Sequence, residues 1–166
     1  MKTTWSQDYP YNANVPFLCP NYNNTSYRGR ATVGCSATAL AQVIAYLNIK
    51  NDSYDFSKYN QTSQPPTAYN SEVGRLFKFI CDKIEMNYGC DGSGADPEDF
   101  EGTLKSWKCG VTLSSGNIIF NQLINELVRW NEPRIGVGFT SSTGHTWVWD
   151  GMRGTMKPTG NGSGRG

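Results

Sequence analysis

The chain has 166 residues, a formal net charge of +1, 13% aromatic and 17% charged residues. That length suits one domain, or two tightly joined lobes, with a substantial core. No Lys/Arg cluster could track a phosphate backbone and no apolar run could cross a bilayer, so neither a nucleic-acid partner nor a membrane span is expected. No charged-then-apolar leader precedes the first motif, so any secretory signal is expected to have been removed or never present.

Residues 1–33 read as extended segments and turns, with Pro10, Pro16 and Pro20 excluding helix. The next stretch, "GCSATALAQVIAYLN", carries Leu40, Val43, Ile44 and Leu47 at helical spacing, with Ala37, Ala39, Ala41 and Ala45 between them. It predicts a buried helix that begins at Gly34–Cys35 and ends near Asn48. Residues 49–70, polar and containing Pro65–Pro66, read as a surface connection. "SEVGRLFKFICDKI" predicts a second helix with Ser71 as N-cap and an apolar face of Val73, Leu76, Phe77, Ile80 and Ile84.

A Gly-rich loop, "NYGCDGSGAD", separates it from a third helix. There Asp96 is the expected N-cap, Pro97 the first position, and Glu98 and Asp99 favour the dipole. Phe100, Leu104 and Trp107 give it an apolar face, and Gly110 should end it. A further helix is expected over 117–130 through Ile119, Phe120, Leu123, Ile124 and Leu127. After Pro133 the period changes to strands, "RIGVGF" and "HTWVWDGM", joined by the turn "TSSTG". Alternation along the second strand makes at least one of Trp147 and Trp149 a packing residue. Residues 152–166 carry no packing pattern and read as an irregular tail. Helices followed by an antiparallel pair of strands make an α+β fold.

Five cysteines stand at 19, 35, 81, 90 and 109, and the one histidine is His145. Without a C-x-x-C pair or a second imidazole, no structural zinc site is expected, and no cofactor is implied. An odd count leaves at least one thiol free. Cys35 is the candidate, because unpaired N–H groups and the positive end of the dipole at a helix start favour a thiolate. A small buried cysteine could equally stand there for packing. A lone histidine is commonly an ordinary hydrogen-bonded residue, yet His145 is the side chain best able to take a thiol proton and return it to a leaving amine. A helix-start cysteine followed by a strand histidine is also the order of papain-like cysteine peptidases.

Four blocks carry a closer resemblance: "WSQDYPYN" with "CP" following, "VGCSATALAQVIAYLN", "MNYGCDGSGA" and "GHTWVWDG". In that order they resemble the mature catalytic domain of the streptopain family of bacterial papain-like cysteine peptidases, from Trp5 to Gly151. The resemblance implies a single papain-like domain over 1–166, a secreted or extracytoplasmic monomer, and a propeptide or protein inhibitor that holds a zymogen inactive. It implies Cys35 as nucleophile, His145 as general base and acid, and Gln7 with the Cys35 N–H as oxyanion hole. Ser93, Gly94, Ala95 and Gly144 match segments near the family's substrate cleft, and a hydrophobic residue upstream of the scissile one is the expected preference.

Two features depart from the family. Thr143–Gly144–His145 replaces Gly-Gly-His. The strand bearing the imidazole-orienting asparagine and a Trp-Gly-Trp-Gly-Gly segment is absent, so a C-terminally short domain is expected, with Asn161 at about the orienter's spacing. Three functions follow: an endopeptidase working through an acyl-enzyme thioester, an impaired relative that binds peptide or protein in the same cleft, and an amidase acting on cell-wall peptide.

Overall fold

In the computed structural model the described residues are 3–23, 25–47, 70–107, 109, 116, 123–125, 127, 133–140 and 143–151, the side chains of 25 and 70–73 excepted. They form helices α1 (Gly34–Tyr46), α2 (Asn70–Lys83) and α3 (Pro97–Ser106), then strands β1 (Arg134–Phe139) and β2 (Gly144–Trp149). This is an α+β arrangement. The expected connection over 49–70 lies outside the described residues up to 69, as do Val73's side chain, Gly110, most of the helix expected over 117–130, and the tail 152–166. Residues 123–125 and 127 of that fourth helix are helical.

Helix α1 is the centre of the core. Gly34, Ser36–Ala41 and Val43–Ala45 are all buried, so the helix is enclosed on nearly every side. Small alanines allow that close approach, while Leu40 and Ile44 fill the space beyond. The stripe stops one turn short of its predicted end. Leu47 is 46% exposed, because it follows the helix as its C-cap and nothing described covers it.

Helix α2 is amphipathic: Leu76, Phe77, Ile80 and Cys81 are buried, whereas Arg75, Asp82 and Lys83 are exposed. It begins at Asn70, so Ser71 lies in its first turn rather than at its cap. Asp96 does occupy the N-cap of α3, with Pro97 at the first helical position, but its side chain makes no capping bond. That helix closes at Ser106, short of Gly110. The Trp107 N–H reaches the carbonyls of Thr103 and Leu104, and the Cys109 N–H also turns back to Leu104.

The segment before α1 wraps the helical core without forming an α-helix or strand itself. Trp5 and Tyr11 pack on Phe77 with ring centroids 5.6 and 5.1 Å away. Fully buried Asn12 donates to the carbonyls of Tyr27 and Ala31 at 3.0 and 3.1 Å, pinning the turns together. A disulfide joins Cys19 to Cys90 in the Gly-rich loop, and Cys35, Cys81 and Cys109 remain thiols.

Strands β1 and β2 pair antiparallel, with Gly136 opposite Trp147 and Gly138 opposite His145. Thr140 and Thr143 close the turn through main-chain and hydroxyl bonds. Among the described residues no helix is long and apolar enough to cross a membrane.

Two outcomes follow from this packing. Leu40→Ala should cost about 2–5 kcal/mol in denaturant unfolding, whereas Leu47→Ala should stay within about 0.5 kcal/mol. Burial also pushes the Cys81 thiol from 9.0 up to about 12, and burial, with Asp8 second, pushes the Tyr11 phenol from 10.0 up to about 12. Raised values mean that the unfolded chain ionises first. Both contributions are therefore complete below pH 9 and are lost as pH climbs toward 12. Equilibrium unfolding should show stability falling from about pH 9, and the fall should be smaller in Cys81→Ala, where the Cys109 thiol, also raised by burial, still acts from about pH 9 and Tyr11 joins it from about pH 10.

Candidate active site

The site is built around the start of α1. Gly34 has φ +82°, and a side chain there would drive its Cβ into the Ser93 carbonyl oxygen. A glycine is therefore required for the chain to turn into the helix at this spot. On one side the Val33 N–H bonds the Gln7 carbonyl at 3.1 Å, which sets Gln7 beside the turn. On the other, the Ser93 hydroxyl donates to the Thr32 carbonyl at 2.7 Å and accepts from the Thr32 hydroxyl at 3.2 Å. Cys35 emerges between these two clamps as the second residue of α1, half-buried.

Strand β2 lies across this helix start. The Thr146 N–H points at the Cys35 sulfur at 3.4 Å, and the hydroxyls of Ser36 and Thr146 are 3.2 Å apart. His145 precedes Thr146 and is exposed. Its ring stacks on Trp147, two residues on along the same face, with centroids 6.2 Å apart and planes 21° from parallel. No hydrogen bond joins His145 to Cys35. Trp147 in turn lies over Gly136 and Gly138 of β1, so close that a Cβ on either would meet its ring at 2.8 and 3.0 Å. The two glycines make the bed on which this aromatic pair rests. Trp147 also meets Trp149 edge-on.

Gln7, Cys35 and His145 line one cleft of about 190 Å³, together with Gln42, Thr146 and Trp147 among others. Three sequence candidates separated by 28 and 110 positions thus converge. Ser93, Gly94, Ala95 and Gly144 are not among the described residues lining it. Ser93 is buried beneath the helix turn, Gly94 pairs with Asn87 to close the loop, and Gly144 stands exposed opposite Phe139. Asn161 lies outside the described residues. Cys35 and His145 are the titratable groups among the described lining residues.

Gln42 was not singled out by its sequence context. It follows Cys35 by seven positions, two turns along the same face, and accepts the Trp5 N–H through Oε1 at 3.4 Å. A lone amide among alanines and branched apolar residues was the available signal. Thr146 was likewise hidden, its neighbour drawing attention as an imidazole.

The model of the Peptidase C10 family matches residues 5–65. Peptidase C10 is the streptopain family, to which residues 5–65 are similar. The matched span holds Gln7 and Cys35, and it bears out the family resemblance over the first two of its four blocks. Cysteine peptidase is the general activity the streptopain match implies, with proteins as substrates. No curated protein matches the chain.

The glycine bed can be tested directly. Gly136→Ala should displace Trp147, change tryptophan fluorescence and cost about 1–3 kcal/mol. Gly102→Ala, in open space on α3, should instead stabilise by about 0.5–1 kcal/mol in the same unfolding assay.

Proposed function

We propose that the chain is a papain-like cysteine endopeptidase, one domain over residues 1–166, with Cys35 as nucleophile and His145 as general base and acid. The observation that carries this reading is the convergence of Gln7, Cys35 and His145 on one cleft. In the proposed cycle His145 takes the Cys35 proton, and the sulfur attacks the substrate carbonyl carbon. The carbonyl electrons move onto oxygen, where the Gln7 side-chain amide and the Cys35 N–H are the proposed donors. As the tetrahedral centre collapses, the C–N bond breaks and the imidazolium protonates the leaving amine. Water then adds to the thioester, giving its proton to His145, and release of the acid restores the thiol.

Asn161 is the proposed orienter of the imidazole, and Gly94, Ala95 and Gly144 are proposed to border bound substrate, with buried Ser93 holding the Gly-rich loop against the helix start. A hydrophobic residue upstream of the scissile one is the proposed preference. Secretion as a zymogen, held by a propeptide or a protein inhibitor, and action as a monomer complete the reading. The Cys19–Cys90 disulfide supports an oxidising compartment.

One observation favours a second reading, an impaired relative that binds peptide in the same cleft. The His145 ring rests on Trp147 and makes no hydrogen bond to Cys35. Binding of substrate can tighten such geometry, so reactivity decides between the two.

Intact mass after treatment with a peptidyl epoxide should show one adduct, absent in Cys35→Ala and slowed in His145→Ala. Gln7→Ala should lower kcat on a peptide substrate by about 10²–10³. Labelling that is no faster than a free thiol, or that is indifferent to His145, selects the impaired reading. Cleavage of muropeptide in place of casein would make the enzyme an amidase.

A further inference from the structure

Directly after Cys35 and directly after His145 stand two residues with no part in the proposed cycle. Ser36 and Thr146 are 3% and 5% exposed, and their hydroxyls meet at 3.2 Å. An apolar pair would fill the same space, and burying hydroxyls is favourable only when each finds a partner. Their partnership therefore selects one register of helix against strand: a slide in either direction breaks it. Strand alternation turns Thr146 toward α1 while His145 stands on the other face. In that register the Thr146 N–H points at the Cys35 sulfur.

We propose that Ser36 and Thr146 are positioning residues, a hydroxyl latch that holds the Thr146 main-chain N–H on the Cys35 sulfur and stabilises its thiolate independently of the imidazole. A hydrogen bond to an ionised acceptor is about twice as strong as one between neutral groups, so this N–H favours the thiolate over the thiol. The donor belongs to the backbone, and side-chain substitution cannot delete it. Breaking the hydroxyl pair moves it. The latch rests on the cysteine peptidase reading only in treating Cys35 as the reactive thiol.

Alkylation by iodoacetamide tests it, followed at the Cys35 peptide as a function of pH in the intact chain, with thermal unfolding run alongside. Ser36→Ala and Thr146→Val should each slow Cys35 alkylation at neutral pH by about tenfold and displace its pH profile upward by about one unit. Thr146→Ser, which keeps the hydroxyl, should restore the wild-type profile. The same slowing should persist when each change is made in His145→Ala. Ser36→Ala puts the best helix former into α1, so a folded variant remains if Thr146→Val fails to fold.

Unchanged profiles in the folded variants would overturn the latch, as would a wild-type Cys35 no more reactive than a free cysteine. An effect that vanishes without His145 would also overturn it, since the hydroxyls would then act through the imidazole. Casein cleavage is read separately. Latch-dependent alkylation in a chain that cleaves no peptide would sink the peptidase reading and leave the latch standing.

Discussion

A helix surrounded by protein cannot carry chemistry along its length, and α1 is such a helix. With ten of its thirteen residues buried, its flanks must be apolar or small, and its backbone bonds are spent internally. Polar function gathers at its first turn, where N–H groups without helical partners remain, with Gln42 the one cleft-lining amide further along. That constraint organises everything around it. The segment before α1, helix α2 and strand β2 all supply cover, while that segment, the Gly-rich loop after α2 and strand β2 crowd the helix start from three directions. The requirement for glycine at position 34 is the local expression of that crowding.

The cleft consequently forms at a seam. Gln7 comes from the wrapping segment, Cys35 and Gln42 from the central helix, and His145, Thr146 and Trp147 from the hairpin. Each is held by a different device. Gln7 is fixed through its own carbonyl, Cys35 through the turn beneath it, and the hairpin through a tryptophan laid on two glycines. Two hydroxyls then set helix against strand. Packing supplies the bulk of the attachment between these parts, while a handful of polar contacts decides their alignment.

Much of this could be read in the residues themselves. Apolar spacing and small side chains marked α1, Asp96–Pro97 marked the start of α3, and the change to alternation after Pro133 marked the hairpin, although β2 takes in Gly144 from the expected turn and ends at Trp149. What escaped depends on neighbours distant in sequence. Leu47 fits the helical period, but period does not reveal where cover runs out. Ser93 resembles an ordinary loop residue until the loop folds under Gly34 and buries it. Gly136 and Gly138 look like breaks in a strand, and only the ring lying on them explains their size. Among the site residues, Cys35 and His145 were visible as chemistry, whereas Gln7 was visible only through the family resemblance. Gln42 and Thr146 became visible once the cleft existed.

The link between Cys19 and Cys90 has a consequence for the molecule as a covalent object. The bonded pair stands 71 positions apart in sequence, and α1 and α2 both lie within the span they enclose. Backbone hydrolysis at any one bond between Pro20 and Gly89 would open a ring without releasing a fragment. Cys35 would stay tied to the part of the chain that carries His145 on either side of such a cut. For a protein proposed to work among peptidases, its own copies included, the bridge turns a nick from a loss of half the site into a change of chain count.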